Sequence, residues 1–151
     1  MGSQKYIVTV FEDGTEWYNE AGKLHRLDGP AVECVSGTKQ WLVDGKRHRL
    51  DGPAIEYADG TKEWWVNGEL HREDGPAIEY ASGTKCWFVN DKLHRLDGAA
   101  VEWSDGRKEW CIEGKEYTET QFKRKVNQIQ NKSCEGKIVE IDGKKYKLTS
   151  V

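Results

Sequence analysis

The chain reads as a mainly β protein, an elongated antiparallel β-meander of about four and a half hairpin repeats with a C-terminal helix and a short hairpin. Three observations predict this. First, His25, His48, His71 and His94 recur every 23 residues without an insertion, and the same step links Trp41, Trp64, Trp87 and Trp110. It also links Gly14, Gly37, Gly60, Gly83 and Gly106, and self-similarity at a fixed period marks a stacked repeat architecture. Second, Asp59-Gly60 lies between runs of alternating apolar residues, a strong local signal for a hairpin. Third, after residue 117 the repeat stops and a helical spacing of apolar residues takes over.

At the amino end, Tyr6 to Glu20 is a partial copy, with Phe11 at the Tyr57 position and Tyr18 at the Trp64 position. Glu20 stands where full copies carry Val, as suits a terminal repeat with a polar edge. The copy Pro53 to Gly75 reads PAIEYADGTKEWWVNGELHREDG. A two-residue turn at Asp59-Gly60 sets Ile55 opposite Trp64, Tyr57 opposite Lys62 and Glu56 opposite Glu63. One face then carries Ile55, Tyr57, Trp64 and Val66, and the other Ala54, Glu56, Ala58, Glu63 and Trp65. Between copies the first set stays apolar: Val32/Ile55/Ile78/Val101, Cys34/Tyr57/Tyr80/Trp103, Trp41/Trp64/Trp87/Trp110 and Val43/Val66/Val89/Ile112. That face is expected to be buried. The Trp65 position instead wanders through Leu42, Trp65, Phe88 and Cys111, as a half-exposed position does.

Beyond Tyr117, Thr118 and Gln121 form a capping box ahead of Phe122, Val126 and Ile129, so one helix is expected near 119–131. IVEIDGKKYKL, from Ile138 to Leu148, predicts a final Asp-Gly hairpin. The chain divides into a β-repeat domain, 1–117, and a C-terminal cap, 118–151.

These residues carry a resemblance. A unit of the form W-x-V-N-G-K-L-H-R-x-D-G-P-A-x-E-x-x-x-G-T-K is similar to the MORN repeat in its shorter-motif variant, over about residues 14–117. Ordinary MORN units have Gly directly after the His, where this chain has Arg26, Arg49, Arg72 and Arg95. The resemblance implies a MORN-like meander of hairpins used as a scaffold, not an enzyme. Copies of the HRLDGPA type also resemble uncharacterised repeat proteins of tailed bacteriophages. That likeness implies an inhibitor or adaptor acting on a host defence protein, in the host cytoplasm.

Composition narrows the function classes. The 151 residues are 32% charged with a net charge of −3, which gives no overall basic footprint for nucleic acid. The charge is uneven: 118–151 hold eight Lys/Arg against four acids, a surplus of +4, leaving −7 for the repeats. Eight basic residues over that length are a loose cluster for a membrane surface, and no apolar run reaches the length of a membrane span. The four Cys (Cys34, Cys86, Cys111 and Cys134) form no CxxC pair and read as reduced thiols of a cytoplasmic protein.

The connector Leu24 to Ala31, LHRLDGPA, is the chemically suggestive stretch, and near-copies follow as RHRLDGPA, LHREDGPA and LHRLDGAA. With two strands per repeat, equivalent residues lie roughly 10 Å apart, too far for four His to share one Zn²⁺. No metal, cofactor or catalytic residue is expected. Four equal copies along an edge do not make the single asymmetric pocket that catalysis favours. Two binding readings remain. Trp65, Phe88 and Leu42 with Arg49, Arg72 and Arg95 form a surface for a protein partner. Alternatively His48, Arg49, His71, Arg72, His94 and Arg95 sequester a nucleotide or other anion. Beside both stands a structural reading, in which Asp28, Asp51, Asp74 and Asp97 cap the loop, the next Gly supplies an unusual φ and Pro opens the strand. On that reading the Arg neutralise sheet Glu residues. The helix is too short to cover the whole Trp row, so sheet coiling, the last hairpin, a homodimer or a partner must hide the rest.

Overall fold

The structure is a computed structural model, and it describes residues 6–134, 138–141 and 144–147. A first hairpin joins β1 (Ile7–Phe11) to β2 (Gly14–Tyr18). Each following repeat supplies two short hairpins. They are β3 (Val32–Cys34) with β4 (Lys39–Gln40), then β5 (Leu42–Val43) with β6 (Lys46–Arg47). The next are β7 (Ile55–Glu56) with β8 (Lys62–Glu63), and β9 (Trp65–Val66) with β10 (Glu69–Leu70). A third set comprises β11 (Ile78–Glu79) with β12 (Lys85–Cys86), and β13 (Phe88–Val89) with β14 (Lys92–Leu93). In the last repeat β15 (Val101–Glu102) pairs with β16 (Lys108–Ile112), which continues unbroken to pair with β17 (Lys115–Tyr117). Helix α1 (Glu119–Cys134) and a hairpin of β18 (Ile138–Ile141) and β19 (Lys144–Lys147) follow. The expected Asp-Gly turn of that hairpin lies outside the described residues.

Eleven strands form one antiparallel sheet in the order β1-β2-β3-β4-β7-β8-β11-β12-β15-β16-β17. The second hairpins leave this sheet at Trp41, Trp64 and Trp87. Single backbone bonds stitch them to one another: Arg49 N–H to Trp65 O (3.1 Å) and Gly68 N–H to Arg47 O (2.9 Å) recur as Arg72 to Phe88 (3.1 Å) and Asp91 to Leu70 (3.0 Å). These second hairpins have the two-residue loops. Asp44-Gly45, Asn67-Gly68, Asn90-Asp91 and Glu113-Gly114 hold φ between 51° and 89° at both positions, the mark of a type I′ turn.

The loop at Asp59-Gly60 differs from expectation, with consequences for every face. Tyr57 N–H bonds to Thr61 O (2.9 Å) and Gly60 N–H to Tyr57 O (3.0 Å), while Gly60 has φ 92°. This is a three-residue loop, a turn followed by a left-handed Gly. The register becomes Ile55↔Glu63 and Glu56↔Lys62, one residue away from the expected pairing. Since a one-residue slip exchanges faces, Ile55 and Tyr57 share a side with Glu63 and Trp65, while Trp64 joins Ala54 and Glu56. The like-charge opposition of Glu56 and Glu63 does not occur; Glu56 opposes Lys62, a favourable cross-strand pair.

The core follows that register. Ile78, Cys86 and Val101 cluster with Leu70, Phe88 and Leu93, so the main sheet packs against the second hairpins. Ala31, Ala54, Ala77 and Ala100 are fully buried, although Ala54 was expected on the more open face. Of the face expected to be buried, Ile55, Ile78, Val101 and Ile112 are in the core, but the Trp row is only half-buried and Tyr57, Tyr80 and Trp103 are exposed. At the carboxyl end, Ile112, Phe122 and Val126 form a second cluster with Leu96, Trp110, Tyr117 and Ile129. The capping box forms: Thr118 N–H donates to Gln121 Oε1 (3.1 Å) and Gln121 N–H to Thr118 Oγ1 (3.4 Å). The helix runs three residues past its expected end.

Candidate functional site

The connector copies are joints, and the Arg is the centre of each. The guanidinium carbon of Arg49 lies 4.1 Å from the centroid of Trp41, and those of Arg26, Arg72 and Arg95 lie 4.2, 4.1 and 3.9 Å from Trp17, Trp64 and Trp87. Cation–π contacts of desolvated groups contribute about 2 kcal/mol. Trp17 thus takes the place expected for Tyr18, because the first copy has one residue fewer before its Trp. Arg Nε donates to Asp28, Asp51, Asp74 and Asp97 at 2.8–2.9 Å. Nη1 donates to the carbonyls of Pro30, Pro53, Pro76 and Ala99 at 3.1–3.2 Å. It also donates to Glu33, Glu56, Glu79 and Glu102 at 2.9–3.3 Å. The hydrogen bond from Arg, with its charge, holds Asp51, Asp74 and Asp97 below the ordinary carboxylate range.

One role expected for this motif is added to and another changes. The Asp also accepts from the Arg fork. The Gly has no unusual φ: a Cβ built on Gly29, Gly52, Gly75 or Gly98 would come within 2.7–2.9 Å of the Arg guanidinium carbon. The position excludes a side chain because the Arg fills its space.

The His ties one repeat to the next. Nδ1 of His48 and of His94 accepts the N–H of Asn67 and of Glu113, both at 3.1 Å. His25 Nδ1 accepts the Asp44 N–H at 3.1 Å, and His71 Nδ1 lies 2.8 Å from Asn90 Oδ1. All four partners open a left-handed two-residue loop one repeat onward. Thr38, Thr61 and Thr84 do the same for the main sheet, their Oγ1 accepting the N–H of Ala58 (3.3 Å), Ala81 (3.1 Å) and Ser104 (3.1 Å). Each unit is completed by its successor. After Trp110 the Arg position is Thr118, and Phe122 of α1 takes over, its ring centroid 4.9 Å from that of Trp110.

The expected binding residues therefore separate. Arg49, Arg72 and Arg95 are side chains only 19–23% exposed, with their donors directed inward at Asp, Glu and carbonyl oxygens. His48, His71 and His94 face the next turn. Grooves of about 720 and 610 Å³ do lie between successive connectors, floored by Trp64, Val66 and His71 and by Trp87, Val89 and His94. Their walls carry Asp51, Glu73, Asp74 and Asp97 beside Arg49, Arg72 and Arg95, so neither groove presents a net positive lining to an anion. Leu42 is buried, at 7% exposure, so it is not a surface residue. Phe88 is half-buried against the Ile78 cluster. Trp65 is half-buried, its Nε1 donating to Glu63 Oε2 (2.8 Å) with the Arg47 guanidinium 5.0 Å from its ring.

The surface aromatics lie at another position of the repeat. Phe11, Tyr57, Tyr80 and Trp103 fall in one phase with Cys34 and are 47, 37, 43 and 37% exposed. With two strands per repeat, neighbours in this row stand roughly 10 Å apart. The polar ends of two of them are held while the rings stay exposed: Tyr57 Oη donates to Glu63 Oε1 (3.2 Å) and Trp103 Nε1 to Glu109 Oε1 (3.1 Å). Arg107 lies 5.1 Å from the Trp103 ring. Burial, then the nearby Glu63, pushes the Tyr57 phenol up, so it stays a neutral donor. The sequence signal for this row was present in the 23-residue phase, and Tyr57 does lie on the side of Ile55 as alternation predicts; what differs from expectation is its exposure.

Among the described residues no three His, Cys, Asp or Glu side chains converge on a possible metal position. Burial raises the Cys86 thiol to about 11 and also raises Cys111, so both are protonated at neutral pH. No described helix is long and apolar enough to cross a membrane. Compared with protein-family models, with curated proteins and with solved structures, the chain finds no match in any of the three.

Proposed function

We propose that this chain is a non-catalytic repeat protein that binds a protein partner through the row Phe11, Tyr57, Tyr80 and Trp103, flanked by Trp65 and Phe88. The observation that carries this reading is the contrast in occupancy. The Arg and His of the connectors are consumed in bonds within the chain, whereas the aromatic row is exposed at a regular step. Aromatic side chains in a polar surround have the composition of binding hot spots. The resemblance to phage repeat proteins extends the proposal to an inhibitor or adaptor acting on a host protein in the cytoplasm.

The test is co-purification from a candidate host. One stoichiometric protein is expected, with binding reduced at least tenfold by Tyr80→Ala and Trp103→Ala together at an unchanged melting temperature. The anion-sponge alternative wins if the purified chain carries excess absorbance at 260 nm that Arg49→Ala abolishes. Capture indifferent to the aromatic pair also overturns the proposal.

A further inference from the structure

The eleven-stranded sheet ends differently on its two sides. At β17 the edge sequence is KEY, and Tyr117 packs against the α1 cluster. At β1 the edge is IVTVF, and among the described residues nothing pairs on its outer side. Ile7, Val8, Val10 and Phe11 are 55, 50, 76 and 47% exposed. Those five residues hold no charge in a chain that is 32% charged. Exposed edges in monomers are usually guarded by Lys, Pro or a bulge; this one has none of these.

The hydrogen-bond directions of β1 can be read from its neighbours. Trp17 N–H bonds to Ala31 O, so in β2 the bonds of Thr15 and Trp17 point to β3. By the alternation of an antiparallel ladder, those of Gly14, Glu16 and Tyr18 point to β1. Through the register Ile7↔Tyr18, Thr9↔Glu16 and Phe11↔Gly14, Ile7, Thr9 and Phe11 bond inward. Val8 and Val10 therefore aim both N–H and C=O at the free edge.

We infer that β1 pairs antiparallel with β1 of a second copy, about a two-fold axis through Thr9. Val8 opposes Val10 of the other copy in this register, and each such pair exchanges two bonds, four in total. Thr9 meets its symmetry mate in the closer, non-bonded pairing, and Ile7 meets Phe11. Every opposed pair is apolar or Thr–Thr, so no charge repels across the dyad. The interface is isologous and uses up both edges, so assembly closes at the dimer. Both sheets keep their faces, which sets the two aromatic rows end to end. A doubled binding row rests on the proposed function above; the dimer itself does not.

Sedimentation equilibrium of the full chain tests the pairing independently of any partner. A twofold mass is expected as concentration rises. Val10→Pro removes an outward donor while sparing every bond to β2, and an edge strand tolerates Pro at such a position; it returns the mass to that of the monomer. Thr9→Cys gives a disulfide-linked dimer on oxidation, since non-bonded pairs place Cα atoms about 4.5 Å apart, within disulfide reach. Val8→Cys, opposed to Val10, does not link. The Cys pair decides even if Val10→Pro misfolds. A monomer at every concentration, a mass that grows past twofold, or equal linking by Thr9→Cys and Val8→Cys overturns the inference.

Discussion

Two rows run the length of the repeat, one on each side of the sheet, and they differ in how freely their residues change. The connector row is nearly identical in every copy: Arg26, Arg49, Arg72 and Arg95 each stack on a Trp and bond the same Asp, carbonyl and Glu. The aromatic row reads Phe11, Cys34, Tyr57, Tyr80 and Trp103 and keeps only its phase. The first row is uniform because each joint has one geometrical solution. The second varies because its rings are tied only at their tips, Tyr57 to Glu63 and Trp103 to Glu109, a tether that different side chains can make. Repetition of a motif thus marks structure here, and variation within the repeat marks the exposed surface that the proposed function assigns to a partner.

The comparison breaks most visibly at Arg72. Arg72→Ala uncovers Trp64 and leaves Asp74 and Glu79 without their partner, so chemical denaturation is expected to show a loss of about 2–4 kcal/mol. Arg72→Lys recovers less than half, because an ammonium cannot reproduce the planar fork. Gly75→Ala comes next, at about 1–2 kcal/mol, since the new Cβ displaces the guanidinium without straining the backbone. In the double variant Arg72→Ala with Gly75→Ala the second cost disappears, and additive losses would refute the proposed collision.

Acid acts more gently on the same row. Asp51, Asp74 and Asp97 have folded-state values below the usual 3.8. A depressed carboxylate contributes stability that is complete above its unfolded value and is lost as pH falls through the folded one. The melting temperature should hold from neutrality to about pH 5 and decline below about pH 4, and Arg49→Ala or Arg72→Ala should flatten that decline. Smallest of all, Tyr80→Ala should change stability by about 0.5 kcal/mol or less while weakening partner binding. A larger loss of stability would place Tyr80 with the joints.

The architecture was legible because a 23-residue period survives any error in local detail. The capping box at Thr118 and Gln121 and the apolar spacing of Phe122 and Val126 were equally readable, because they are local. The faces were not. Ala58-Asp59-Gly60 closes as a two- or a three-residue loop with little difference in composition, yet the choice moves Trp64 to the side opposite Tyr57. The second hairpins were not anticipated: no pairing was assigned across Asn67-Gly68, whereas the strand breaks at Trp64 and Trp65–Val66 pairs with Glu69–Leu70 around that turn. Gly75 looked like a conformational Gly and is a spatial one, something only the position of Arg72 reveals. Trp17 was displaced by one residue in a copy that departs from strict spacing.

The bonds from His71 to Asn90 and from Thr61 to Ala81 reach from one unit to its successor, and this gives the molecule an arithmetic of length. Removing Pro53 to Gly75 as a block would let Gly52 join Pro76, and every surviving joint would find an equivalent neighbour. The chain can be shortened or extended by whole units, much as a ruler is cut at its marks. Each unit so added or removed changes the exposed row by one aromatic at one end of a fixed step. On the proposed function, reach along a partner could then change without reworking the joints.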